Sequence, residues 1–409
     1  MADPTPETLF TPIRAERYRA PERLGDLIAP PYDVLSEDAR EAFARRSPYN
    51  IVHLTVPVGG ADRYAAAAQV LHRWRTAGVL ERDEGPALYV VQQEFATPAG
   101  RTHLRTGVIG GLLAEGYESG RVRPHERTHR GPKEDRLALG RVTRTAVEPI
   151  FILTRDDRGH LQRRLDGVTH HEPMAAAELD GVRIGLWRIT GVQAAELAHA
   201  VGNGPVYIAD GHHRFETAAA LRAVLPVADR IPALAVPVRD PGLVILATHR
   251  LVVGGPVDAT ALAAEWSGAF DVDETEAELD PHGLLDALGP HPAAVVAFPT
   301  GRLLVLRARD PHDGELETAV IERTVVQMLV AAAGSEATVR YTSNPGELLH
   351  AVAGGGSAGV LIRPTPIERV LTIADAGGIM PPKSTYFAPK VPSGLLILPF
   401  DEVAGGGTT

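Results

Sequence analysis

Residues 206–224 read VYIADGHHRFETAAALRAV: a short apolar, β-prone run ends in an acid, passes a glycine and gives way to an amphipathic helical pattern. A strand that turns tightly into a helix is the unit of α/β architecture. The turn delivers Asp210, His212, His213 and Arg214 together at the start of the helix. Backbone N–H groups and the positive end of the helix dipole favour an anion there. Arg214 offers a bidentate grip on phosphate, Gly211 permits close backbone approach, and Asp210 is placed to act as a base or to hold a magnesium ion.

Working outward, IPALAVPV (231–238) and LVILATHRLVV (243–253) read as further strands, with Thr248, His249 and Arg250 on the second. Towards the N-terminus, ALYVVQQEF (87–95) and RTHLRTGVIGGLL (101–113) predict an antiparallel pair joined through ATPAG. Residues 61–77 place Tyr64, Ala67, Val70, Leu71 and Trp74 on one helical face, and Gly78 is positioned as the C-cap. Before it, Pro30-Pro31 opens a loop containing Asp33, and Ser36 is placed as the N-cap of the next helix. A helix is expected over 132–146, and 255–320 reads as a further α/β stretch. The fold class is α/β, in the mixed α+β sense, with three regions expected at 1–120, 121–254 and 255–409 and a loose boundary near Gly254-Gly255.

Composition excludes several functions. A net charge of −10 and an acidic balance oppose a basic field for nucleic acid or anionic membrane. The absence of cysteine removes disulfides, thiolate nucleophiles and cysteine zinc sites. No basic, apolar leader and no run of about 20 apolar residues is present, so a cytoplasmic location is expected. G-x-S-x-G, Walker and Rossmann patterns are also absent. Of 41 basic residues only Lys133, Lys383 and Lys390 are lysines. An ammonium is a compact point charge suited to phosphate, where arginine is a rigid fork.

Two further segments surround those lysines. RPHERTHRGPKEDR (123–136) contains H-E-x-x-H at His125, Glu126 and His129, the zinc-protease pattern. Such a helix is long and apolar between its ligands, whereas Pro124, Arg127 and Gly131-Pro132 interrupt this one. A phosphate-binding segment is the better reading, with Lys133 and Arg136 on one face at i, i+3 and His125 or Glu126 reaching the site. MPPKSTYFAPK (380–390) adds Lys383, Ser384, Thr385 and Lys390 as phosphate contacts, and His249 and Arg250 are candidates to join them. No metal ligand set is assigned.

PPYDVLS, PHERTHRGPKEDRLALGRVTR, ADGHHRFETA and MPPKSTYFAPKVPSG together resemble the domain-of-unknown-function 1015 family. His129 departs from that family's pattern, which makes the zinc-protease match accidental. More distantly, Asp210 to Ala218 resembles the G-x-H-R type motif of the ParB and sulfiredoxin superfamily, which includes free-serine kinases. The resemblance implies a nucleotide-binding core of that type, phosphate contacts at Gly211, His212, His213 and Arg214, and an acidic base near the transferred group. Asp210 and Glu126 are the candidates for the base. The expected function is phosphoryl transfer from ATP or ADP, with Mg2+, to a small hydroxylated metabolite such as serine. His212 or His213 would stabilise the transferred charge. A phosphatase and a non-catalytic nucleotide switch are the alternatives. The expected partners are a nucleotide and a small substrate, without nucleic acid or membrane.

Overall fold

In a computed structural model, the described residues are 7–400 other than 129, 277–280 and 313. They build a mixed α and β fold around two sheets. The first has nine strands. Along its path lie Val122–Arg123, Val206–Asp210, Ile150–Thr154, Arg230–Pro237, Thr102–Leu113, Leu88–Ala96, Val182–Ile189 and Ala175–Leu179, with Phe10–Thr11 also pairing with Thr102–Leu113. Most pairs are antiparallel; Val122–Arg123 with Val206–Asp210, and Ile150–Thr154 with Arg230–Pro237, are parallel.

Both faces of this sheet are covered, so Ile150–Thr154 and Arg230–Pro237 at its centre read as near-continuous apolar runs rather than alternating with polar residues. The strand period of two still sorts their side chains. Tyr89, Val91, Phe151, Leu153, Tyr207, Ala209 and Leu234 enter one core, while Leu88, Val90, Ile150, Ile152, Val206, Ile208 and Ala233 enter the other. The expected hairpin forms, with Gln92 opposite Thr106. Helix Arg63–Thr76 ends as expected at Gly78, whose φ is 68°. Val79 N–H donates to the Trp74 carbonyl and Gly78 N–H to that of Arg75, the paired bonds of a Schellman cap. Ser36 accepts from the Ala39 amide at 3.2 Å as N-cap.

The second sheet has six strands, in the order Phe270–Glu276, Arg302–Ala308, Ala293–Ala297, Ala358–Leu361, His249–Val253 and Thr338–Thr342. Regions 1–120 and 121–254 thus share the first sheet, while 249–253 already pairs in the second. The strand expected over 243–253 is two strands. Val244–Leu246 pairs with Tyr386–Ala388, and His249–Val253 continues into the second sheet. The helix expected over 132–146 spans Arg130–Thr143 and stops where Arg144 takes a left-handed φ of 50°. Thr145–Ala146 then pairs with Leu398–Pro399. No helix among the described residues is long and apolar enough to cross a membrane.

Candidate active site

The site gathers around the turn after Val206–Asp210. Gly211, with φ of 96°, leads directly into helix His212–Val224. A Cβ at 211 would stand 2.8 Å from Ile150 Cγ2, so backbone and space both require glycine. The proline-rich segment after Met380 brings Lys390 to the turn, where its ammonium donates to Asp210 Oδ1. Arg214, one helical turn beyond, donates from Nη2 to Asp210 Oδ2 at 2.6 Å and from Nη1 to the Pro149 carbonyl. The same Nη2 lies 3.9 Å from Asp33 Oδ2.

Asp33 belongs to the helical turn Tyr32–Val34. Behind it, Glu148 accepts from the Tyr32 amide, the Ser393 hydroxyl and Arg136, each at 3.1 Å. Arg136 also donates to the Thr55 carbonyl at 2.7 Å and lies 4.1 Å from the centre of the Tyr32 ring. Asp33, Asp210 and Glu148 thus meet Arg214, Lys390 and Arg136 in one connected network.

Burial alone raises a carboxyl pKa. At Asp210 the charges of Lys390 and Arg214 outweigh burial and hold the carboxyl well below its usual range. At Asp33 burial prevails over the opposing charge of Arg214, Asp210 adds to the rise, and the pKa is raised. Burial would push the Lys390 ammonium down, but Asp210 outweighs it and keeps the group charged. Beside Lys390 opens a cavity of about 410 Å³, walled by Pro30, Val34, Leu35, Phe43 and Leu246 among others, with Gln93, Asp180, Ser343, Tyr386 and Lys390 as polar members. Lys390 Nζ stands 4.5 Å from the centre of the Tyr386 ring.

Two buried histidines back the turn. Their rings meet edge to face at 4.7 Å. His212 Nε2 accepts from the His125 amide at 3.3 Å, and His125 Nε2 lies 3.2 Å from Thr385 Oγ1. Burial pushes His125 down to about 4 and His212 well below the ordinary histidine value, so both are neutral at pH 7.

The known proteins can now be set beside this geometry. The family described as "Protein of unknown function (DUF1015)" matches residues 10–330, well over half of the chain. The chain belongs to that family. No curated protein matches. Among solved structures, a free serine kinase in complex with AMP is similar at 13% identity and a TM-score of 0.38, over 71% of this chain and 92% of that one. The C-terminally truncated SbnI from Staphylococcus aureus shows 11% identity and a TM-score of 0.40, over 71% and 87%. A conserved hypothetical protein from Pyrococcus furiosus shows 15% identity and a TM-score of 0.37, over 70% and 93%.

Within this DUF1015 chain, several expected roles meet a different geometry. Arg214 is not a free phosphate grip, because its terminal nitrogens are engaged by Pro149, Asp210 and the nearby Asp33. Arg136 is similarly held by Glu148, Asp135 and Thr55. Each oxygen of Asp210 accepts from a cation, Oδ1 from Lys390 and Oδ2 from Arg214. Among the described residues no group of three or more metal-binding side chains is found, and His129 lies outside them. His212 Nε2 is taken up by the His125 amide, and burial lowers the pKa of its ring.

Ser384 is buried against Thr318, at 3.2 Å, and the Pro381 carbonyl, while Thr385 does reach His125. Lys383 is exposed with a φ of 59°. Lys133 pairs with Glu216 at 2.8 Å. Glu126 is half-buried beside His125, and the carbonyl of the half-buried His213 accepts from Thr217 at 2.7 Å. His249 and Arg250 take their places in the second sheet, where His249 Nδ1 accepts from the Ile362 amide and Arg250 pairs with Glu322, each at 3.3 Å. Asp33, Tyr32, Glu148 and Tyr386 are the site residues to which sequence reasoning assigned no role. Their signals were an aromatic and acid pair directly after Pro-Pro, an acid at the mouth of an apolar strand, and an aromatic within the lysine loop.

Proposed function

We propose that the protein is a phosphotransferase that moves a phosphoryl group from ATP or ADP to the hydroxyl of a small metabolite, with serine as the first acceptor to test. The observation that carries this reading is the pair Asp33 and Asp210. The two carboxylates share Arg214 beside a cavity, and their protonation is pushed in opposite directions. A pair so separated divides its labour. Asp33 is the base, because its raised pKa brings it closer to the working range. Asp210 is the permanent anion that keeps Lys390 and Arg214 charged and aligned.

In the transfer step Asp33 accepts the proton of the acceptor hydroxyl. The freed oxygen bonds to the terminal phosphorus of the nucleotide, and the bond from that phosphorus to the bridging oxygen breaks, releasing the shortened nucleotide. Lys390 faces the cavity and offers its ammonium to the charge spread over the transferred group, the main requirement of this chemistry. The nucleotide phosphates are assigned to the turn at Gly211 because Asp210 to Ala218 resembles the phosphate-binding motif of ParB-like proteins. A phosphatase working through a phosphohistidine is disfavoured at His212, whose Nε2 is engaged and buried.

The test is transfer of labelled phosphate from ATP or ADP, supplied with magnesium, to serine and other small hydroxylated acids. Asp33→Asn is expected to lower kcat by roughly 100- to 10,000-fold while nucleotide affinity is retained. Nucleotide binding without transfer to any acceptor would replace this reading with a nucleotide switch.

A further inference from the structure

We propose that Arg105 is a positioning residue that, together with Gln93, sets Lys390 against Asp210. The inference rests on the phosphotransfer reading only for its catalytic consequence; the geometry stands without it. Arg105 lies on Thr102–Leu113 and is 1% exposed. Its Nη1 donates to the Ala388 carbonyl at 3.1 Å, and its Nη2 to the Pro389 carbonyl at 2.7 Å and to Gln93 Oε1. Gln93 Nε2 in turn donates to the Lys390 carbonyl at 3.3 Å. Three successive carbonyls that end at Lys390 are therefore held by two neighbouring strands of the first sheet.

The choice of a cation here is informative. These guanidinium bonds go to carbonyl and amide oxygens, which neutral donors satisfy at far lower desolvation cost. What arginine adds is a rigid planar fork that spans two consecutive carbonyls. Its carbon lies 4.5 Å from the centre of the Phe151 ring, and Phe151 is the residue registered opposite Asp210. The strand contact that places Asp210 and the fork that places Lys390 thus share one support. A lysine at the end of a loop gains from this a fixed backbone, which a long flexible side chain does not supply for itself.

The chain's three lysines make the test direct. The full-length protein is labelled with carbon-13 at lysine Cε, and the three signals are assigned through Lys133→Arg and Lys383→Arg. In Arg105→Met the Lys390 signal is expected to move while those of Lys133 and Lys383 stay. The transfer rate is expected to fall by up to about 100-fold, with nucleotide affinity retained. A folded Arg105→Met protein whose Lys390 signal is unmoved overturns the proposal. Should that variant not fold, Gln93→Met removes the second contact, and an unmoved Lys390 signal there overturns it equally. If the signal moves but wild-type protein transfers no phosphate, the positioning role stands and the phosphotransfer reading falls.

Discussion

Asp33 and Asp210 are nearest carboxylate neighbours of one guanidinium, yet replacing each by asparagine should have opposite consequences. Asp210→Asn leaves Lys390 and Arg214 in place and removes their shared counter-ion. It also turns an N–H donor towards one of two N–H donors. Removing one partner of a buried ion pair costs about 3–5 kcal/mol; the oxygen that asparagine retains argues for the lower end, about 3 kcal/mol. Asp33 makes a looser contact, 3.9 Å from Arg214, and its side chain is 39% exposed. Its raised pKa means that folding disfavours its charged form, so Asp33→Asn removes a penalty along with a weak attraction. A change within about 0.5 kcal/mol is expected, of either sign. Hydrogen exchange read over Ile150–Thr154 and Val206–Asp210 reports local opening. Asp210→Asn should accelerate exchange there by roughly 100-fold, while Asp33→Asn leaves it near wild type and still lowers kcat by roughly 100- to 10,000-fold. Equal acceleration in both variants would refute the division of roles, as would a stable Asp210→Asn protein.

Gly211→Ala must adopt a left-handed φ and place its Cβ 2.8 Å from Ile150 Cγ2, so a loss of at least about 1–2 kcal/mol is expected; a thermal midpoint equal to wild type would contradict it. The buried histidines predict an acid response whose sign follows from their lowered pKa values. The unfolded chain takes up protons near pH 6.5, whereas folded His125 resists until about 4. Its contribution is present above about pH 6.5 and is lost as pH falls towards 4, amounting to about 3 kcal/mol. Asp210, whose folded pKa is depressed, contributes above its unfolded value near 3.9 and is lost at still lower pH. Urea midpoints measured from pH 8 to 4 test this, and a His125 ring that titrates near 6.5 by NMR would oppose it.

What the chain revealed in advance divides along a physical line. Elements that rest on local rules were legible: the alternation of the hairpin over 88–113, the Schellman glycine at 78, the Ser36 cap and the glycine turn at 211. Each is decided by residues within a few positions of one another. The break at Ala247-Thr248 was not legible, because an apolar run suits either sheet and only the pairing partners, Tyr386–Ala388 for the first half and Thr338–Thr342 and Ala358–Leu361 for the second, separate its halves. The pairing of the charged groups in the site was hidden for a related reason. Asp210, Arg214 and Lys390 were all singled out, but whether a cation waits for phosphate or is already occupied depends on neighbours 180 residues away in sequence, as Lys390 is from Asp210.

Arg105 carries the same lesson further. It shares a strand face with Gly107 and Ile109, positions that a buried strand fills with apolar residues. A charged residue that interrupts such a face is a visible anomaly, and the carbonyls of Ala388 and Pro389 are its reason. The site is thus built from anions and cations that satisfy one another within the chain. Within it Asp33 keeps a partly exposed side chain, and Lys390, with one N–H on Asp210, lines the cavity with the rest of its ammonium. A substrate that engages both must present a proton to the first and negative charge to the second, which is what an acceptor hydroxyl and a transferring phosphoryl group provide.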